Sequence, residues 1–370
     1  MKAISERVHI AIFGNCNSGK SSLLNAIAGQ EVAVVSDIAG TTTDVVQKSI
    51  ELPKIGAAVV IDTPGLDDDS QLGKLRIAQS HKVLAKTDIA ILLLPIADEF
   101  LAKLEALEIP VIKVISKSDL MPQATDRDAI TVSAVTGEGI EVLLDTIAQA
   151  VTEEHRYITD GICSSGDTVL LVMPQDGSAP KGRLIKPQVE VIRELLDRGC
   201  TPICCQTEGM QAALAALSAP PKVIITDSSA FAAVKPLVPQ GVTLTSFSIL
   251  FARYKGDIEL FRDGAKALLA LQPTAHILIA EACSHIPQSE DIGRVKLPRL
   301  LRKKLGEEIT IDTVGGNDFP EDLTPYDLII HCGACMFNRR YVLSRIAQAK
   351  EQGIPMTNYG VAIAALLGIE

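Results

Sequence analysis

Tryptophan is absent from the 370 residues, and aromatic side chains make up only 4% of them. A surface that stacks nucleobases draws on aromatic rings, so this chain is poorly supplied for that task. Positive charge is also scarce: 35 Lys and Arg stand against 45 Asp and Glu, giving a net charge of −10. This balance disfavours a general nucleic-acid partner or an anionic membrane surface. Long apolar runs are missing too. Ile89–Ile96 is among the longest and falls well short of the ~20 residues needed to span a bilayer. The opening MKAISERVHIAIFG carries too short an apolar run for a signal peptide. We therefore expect a cytoplasmic protein with no membrane and no nucleic-acid partner. Eight cysteines are too few for a disulfide scaffold; in a reducing compartment they are thiols or metal ligands.

What is present points to folded α/β domains. Hydrophobic residues make up 47% and charged residues 22%. The length exceeds one ordinary core. Strand-like runs (Val8–Phe13, Ala57–Ile61, Ile89–Leu94, Val111–Ile115) alternate with amphipathic helical stretches, the pattern of parallel α/β architecture. The polar stretch Thr152–Asp167 reads as a linker. The expected organisation has three domains. An N-terminal P-loop nucleotide-binding fold occupies residues 1–160, and two smaller parallel-sheet α/β domains follow over 168–262 and 263–370.

The most specific motif is Gly14-Asn15-Cys16-Asn17-Ser18-Gly19-Lys20-Ser21, which fits G-x4-G-K-[ST] between a strand and a helix. Backbone N–H groups of such a loop wrap phosphates, and the helix N-terminus favours the anion. Lys20 is expected to reach the β- and γ-phosphates and Ser21 to ligate Mg²⁺, with Ser22 following in the same turn. Asp62-Thr63-Pro64-Gly65 ends a strand, where Asp62 approaches Mg²⁺ and the Gly65 N–H meets the γ-phosphate. Ser116-Lys117-Ser118-Asp119 has the form of a guanine-reading loop. Asp119 would accept from the N1 and N2 donors of guanine, which adenine lacks, and Lys117 would lie over the base. Ser133-Ala134 stands where a backbone N–H would meet O6. Ser116 replaces the usual Asn, which predicts a weaker tie between this loop and the P-loop.

A second constellation lies near the end of the chain: Cys283-Ser284-His285 and His331-Cys332-Gly333-Ala334-Cys335, with about 45 residues between the two histidines. Both groups follow predicted strands, and in open parallel sheets ligand sites gather at those carboxyl ends. A helix starting after Cys335 would turn its positive end toward thiolates, with Arg294, Arg339 and Arg340 adding to the field. Three Cys and two His allow a closed zinc site, an iron–sulfur cluster with an exchangeable fourth position, or a redox dithiol. Cys200, Cys204 and Cys205 read as thiols buried in a core strand.

Gly40-Thr41-Thr42-Thr43-Asp44 resembles switch I of GTPases related to the tRNA-modifying protein MnmE. That resemblance implies Thr42 as a Mg²⁺ ligand and Asn17 as the P-loop Asn that helps hold K⁺. The water-orienting glutamine of Ras-like proteins is missing here, with Leu66 after Gly65. Slow, K⁺-stimulated hydrolysis is the expectation, with Lys20, Thr42, Asp62 and Gly65 as its catalytic set. Joined to C-x-H and H-C-x-x-C and to the segment Pro180–Gln188, these features resemble the HydF family, the GTPase maturation factors of [FeFe]-hydrogenase. The resemblance covers the whole chain. It implies a [4Fe–4S] cluster on Cys283, Cys332 and Cys335, with His285, His331, Glu290 or water in the fourth position. It further implies a homodimer that receives a di-iron (2Fe) precursor from the radical-SAM maturases HydE and HydG and passes it to apo-[FeFe]-hydrogenase. The competing expectation is a K⁺-dependent MnmE- or Era-like switch in RNA modification or ribosome assembly, with a structural zinc.

Overall fold

In the computed structural model, the described residues are 7–29, 46–67, 80, 82–120, 128–151, 156–175, 182, 184–282, 291–316, 318–335 and 337–369. The chain divides into two compact units, 1–154 and 155–370. The first is built on a six-stranded sheet of order β2-β3-β1-β4-β5-β6. Its strands are β1 (Val8–Gly14), β2 (Val46–Leu52), β3 (Gly56–Asp62), β4 (Ile89–Leu93), β5 (Val111–Ile115) and β6 (Ile130–Thr131). All neighbours are parallel except β2, which runs antiparallel to β3 at the edge.

The alternation along β1 explains why this sheet is covered on both faces. Ile10 and Ile12 pack with Leu23, Leu24 and Ile27 of helix α1 (Lys20–Ala28) and with Leu143 and Ile147 of α3 (Ile140–Ala150). Ala11 and Phe13 point the other way, toward Phe100 and Leu104 of α2 (Asp98–Ala106). A strand buried on both faces reads as a continuous apolar run, as β1 and β4 do. The antiparallel β2 was not expected: VQKSIEL alternates exposed and half-buried residues and lacks such a run.

The second unit holds two four-stranded, all-parallel sheets. One has the order β10-β9-β7-β8, from β7 (Thr168–Val172), β8 (Thr201–Cys205), β9 (Val223–Thr226) and β10 (Thr243–Ser246). Between these strands lie α4 (Lys186–Asp197), α5 (Met210–Ala215) and α6 (Phe231–Val234). The other has the order β12-β11-β13-β14, from β11 (His276–Ala280), β12 (Thr310–Val314), β13 (Leu328–His331) and β14 (Met356–Asn358). It carries α9 (Leu297–Leu305), α10 (Arg339–Glu351) and α11 (Tyr359–Leu366). Two consecutive helices join the sheets, α7 (Phe247–Lys255) and α8 (Ile258–Leu269), with Asp257 capping the second through the amides of Glu259 and Leu260. Phe231, from the first sheet's helices, sits in the core of the second sheet with Leu268, Ile277 and Leu301, so the two sheets share apolar packing. No helix among the described residues is long and apolar enough to cross a membrane.

Candidate functional site

The first site gathers at the carboxyl ends of β1, β3 and β5. Gly19 takes φ 94°, the left-handed region that glycine enters without strain, and so lets the loop swing into α1. The Lys20 side chain folds back into the loop, its Nζ donating to Gly14 O at 3.0 Å and Asn15 O at 2.6 Å. Burial pushes the ammonium down, against the opposing pull of Asp62, Cys16 and Asp67. Asn17 is left-handed as well, at φ 57°.

Asp62 ends β3 fully buried. Its Oδ2 accepts from Ser21 Oγ at 2.6 Å, while Oδ1 has no hydrogen-bond partner among the described residues. Burial pushes this carboxyl up, opposed by the Ser21 hydrogen bond and the Lys20 charge. A hidden carboxylate with one unmet oxygen beside a hydroxyl is a donor set that suits a hard divalent cation, so these residues fit Mg²⁺. Ser18 Oγ is a second buried oxygen without a partner among the described residues. Gly65 lies against the P-loop: a Cβ there would stand 2.3 Å from Cys16 Sγ and 2.9 Å from Cys16 N, leaving no room for a side chain. Two residues on, Asp67 Oδ1 accepts from the Cys16 N–H at 2.6 Å. The motif reading missed Asp67. Its only signal is an acid just past D-x-x-G.

The guanine-type loop is tied to the P-loop twice. Ser116 Oγ donates to Ser18 O, and Lys117 Nζ donates to Asn17 O at 2.7 Å. Ser116, standing in place of the usual Asn, keeps a single tie through its hydroxyl to a P-loop carbonyl. Ser133, expected to act through its backbone, also uses its side chain. Its Oγ donates to Asp119 Oδ1 at 2.7 Å and accepts from Thr136 N at 3.1 Å. Ala134 follows, half-buried. Thr42 lies outside the described residues, and Ser22 is half-buried in the first turn of α1.

The second site lies where β11 and β13 end side by side. The Cys332 amide continues the ladder to Ala280 O at 2.9 Å, and Cys332 Sγ accepts from the amides of Ala282 at 3.0 Å and Ala334 at 3.4 Å. Ala282 directly precedes Cys283 in sequence; Cys283, His285 and Glu290 themselves lie outside the described residues. Ala334 adopts φ 47°, a left-handed turn that costs a non-glycine residue about 1–2 kcal/mol. Two N–H groups aimed at one sulfur favour its thiolate form, and half-buried Cys335 stands three residues on. This soft donor environment fits an iron–sulfur cluster, and equally zinc.

His331 does not fit the role of a ligand. It is fully buried; its Nδ1 pairs with Cys332 O at 2.6 Å and its Nε2 with Arg345 Nη1 at 3.0 Å. A carbonyl only accepts and a guanidinium only donates, so the ring is neutral with its proton on Nδ1. Burial, then the Arg345 charge, pushes its pKa down to about 3, against the pull of the Cys332 carbonyl. With both nitrogens engaged, His331 is a support beside the cysteines, which corrects its place among the candidate ligands. Arg345 lies 4.5 Å from the Phe319 ring centroid and 4.4 Å from that of Tyr341, and also donates to Gly316 O at 2.7 Å. Arg294 is committed to Glu281 through Nε and Nη2, both at 3.2 Å, so its charge is largely spent there. Arg339 and Arg340 open α10, as expected of a helix following Cys335. The other thiols divide. Cys163 and Cys200 are buried with their sulfurs 3.8 Å apart, and burial, then Cys163, pushes Cys200 up to about 11. Cys205 is half-buried and Cys204 exposed, unlike the buried pair expected, because β8 is an edge strand.

Comparison with known proteins places these two sites in a context. Residues 9–117 match the family described as 50S ribosome-binding GTPase. The tRNA modification GTPase MnmE of Brucella anthropi is 33% identical over 160 residues, 43% of this chain and 36% of that protein. MnmE of Neisseria meningitidis is 38% identical over 157 residues, 39% of this chain and 35% of that one. The chain thus spans about a third of the length of these curated relatives. Among solved structures, Era in complex with MgGDPNP and a segment of 16S ribosomal RNA gives a TM-score of 0.36 at 19% identity, over 54% of this chain and 91% of that chain. NFeoB from S. thermophilus bound to GDP.AlF4⁻ and K⁺ gives 0.31 at 22% identity, over 40% and 64%. Residues 158–256 match the hydrogen maturase F dimerization domain and residues 259–370 its tetramerization domain. Behind a GTPase domain, more than half of the chain thus carries modules particular to one maturase, and the chain belongs to the hydrogen maturase F (HydF) family.

Proposed function

We propose that this protein is a GTPase scaffold and carrier. In this reading it holds a [4Fe–4S] cluster on Cys283, Cys332 and Cys335 and delivers a 2Fe precursor to apo-[FeFe]-hydrogenase. The observation that carries the reading is the Cys332 sulfur receiving two backbone N–H groups, one of them from the residue before Cys283. Such a sulfur is prepared as a thiolate ligand, and three cysteines leave a fourth position open to cargo. The cluster, when bound, supplies that exchangeable iron site. His331, itself held by Arg345, donates to the Cys332 carbonyl, and Ala334 turns the loop. His285 and Glu290 stay as candidates for the fourth position.

At the nucleotide end, Gly14, Asn15, Asn17, Ser18 and Gly19 cradle the phosphates, Lys20 neutralises them, and Ser21, Thr42 and Asp62 hold Mg²⁺. Lys117, Asp119, Ser133 and Ala134 read guanine, and Asn17 contributes to a K⁺ site that takes over the charge role of an arginine finger. The residues 1–160, 168–262 and 263–370 serve as nucleotide, dimerisation and cluster domains of a homo-oligomer in the cytoplasm, supplied by HydE and HydG. The test mixes the anaerobically purified full chain, co-produced with HydE and HydG, with apo-hydrogenase. The reading expects hydrogenase activity from the wild type and its loss in Cys332→Ser. Absence of activation by the wild type contradicts it.

A further inference from the structure

Segments far from the cysteine loop in sequence, and within the part matching the dimerization domain, hold that loop in place. Lys255, the last residue of α7, is buried with 2% exposure. Its Nζ donates to Phe337 O at 2.8 Å, Ala334 O at 2.9 Å and Cys335 O at 3.4 Å. An ammonium has three N–H donors, and here three carbonyls of one short loop receive them. A second lysine joins it. Lys186, the first residue of α4, donates to Cys335 O at 2.8 Å and pairs with Glu190 one turn along its helix. Lys186 belongs to the segment Pro180–Gln188, for which the nucleotide and cysteine sites give no role. Among the described residues of that segment, Gln188 also bonds to Asp227, which anchors α4 beside β9.

We propose that Lys186 and Lys255 are positioning residues for the cluster. They pin the carbonyls that follow Cys332, hold Ala334 in its left-handed turn, and thereby fix how Cys332 and Cys335 are presented. The left-handed φ of Ala334 calls for outside support of this kind, because an alanine does not rest there on its own. Two cationic groups on the Cys335 carbonyl also favour the more negative, reduced state of a thiolate-bound cluster. This rests on the cluster assignment above. It adds that the cysteine loop is a composite, built from the C-terminal sheet and completed by α4 and α7 of the preceding segment.

The test uses the full chain, reconstituted with ferrous iron and sulfide without oxygen. Iron release to a ferrous chelator and the midpoint potential by EPR-monitored titration are both followed. Lys255→Met is expected to lose iron about tenfold faster than wild type and Lys186→Met several-fold faster, each with a lowered midpoint potential. Adding Ala334→Gly to Lys255→Met is expected to slow the loss again, because glycine needs no support at that φ. Circular dichroism establishes that the variants are folded. If burial makes Lys255→Met unfold, the half-exposed Lys186→Met carries the test alone. Iron retention and potential at wild-type values in Lys186→Met overturn the clamp. A wild type that takes up no iron overturns the cluster assignment beneath it.

Discussion

Asp67 and Cys16 are joined by a 2.6 Å hydrogen bond from the P-loop amide to the carboxylate, across 51 residues of chain. Backbone N–H groups of such a loop wrap phosphates, and here one of them is taken by an anion of the protein's own. Burial pushes the Asp67 carboxyl up, but the Cys16 hydrogen bonds and the Lys20 charge outweigh it and hold the group below the usual carboxylate range. The contact therefore persists from neutral to mildly acidic pH. Asp67→Asn is expected to tighten binding of a GTP analogue about tenfold, since a charge-assisted bond worth about 1.5 kcal/mol no longer competes. Isothermal titration at neutral and mildly acidic pH checks this. Weaker binding in the variant would show that Asp67 assists the phosphate instead.

Asp62 presents a trade-off. Its buried carboxylate is costly in the nucleotide-free protein, as the upward push on its pKa records. Asp62→Asn keeps the shape and removes the charge. The nucleotide-free variant is expected to unfold at higher temperature, by about 1–3 kcal/mol of stability, while GTP turnover with Mg²⁺ falls ~10²-fold or more. Equal melting temperatures and unchanged turnover would remove Asp62 from the cation site.

The tie at Ser116 makes a smaller prediction. Ser116→Ala removes one hydroxyl bond to Ser18 O and is expected to weaken guanine nucleotide binding by about 1 kcal/mol, roughly fivefold. Asp119→Ala, by contrast, is expected to abolish discrimination between GTP and ATP, because it deletes the acceptor for the guanine donors. Competition binding with both nucleotides separates the two effects.

For His331, the hydrogen bonds on both ring nitrogens predict support without ligation. His331→Ala is expected to destabilise the protein by about 1–3 kcal/mol through unmet buried partners. It is expected to take up the same number of irons with the same EPR g values. A changed g tensor would return His331 to the ligand sphere.

Legibility from sequence followed locality. The strand–loop–helix at Gly14–Ser21 was readable because its chemistry is compressed into one contiguous motif, Asp62 because it ends an apolar strand, and Asp119 because it lies four residues past the end of a mostly apolar one. The edge strands β2 and β12 escaped notice, since one-sided burial leaves them looking like polar chain. Only three residues long, β14 carries no period. Helix α7 buries several faces at once, so it shows no clean amphipathic stripe. Partnerships were the least visible layer. Lys255 reaches a loop 79 residues away, and Arg345 meets His331 only once α10 folds back along β13. Nothing in a lysine or arginine letter announces such a partner.

Metal content and the EPR spectrum of the reduced protein, purified and reconstituted without oxygen, bear most directly on the central claim. About four irons per chain are expected, with a low-temperature signal from a reduced [4Fe–4S] cluster that vanishes in Cys332→Ser and Cys335→Ser. A colourless protein holding stoichiometric zinc, or iron uptake indifferent to those cysteines, would contradict it.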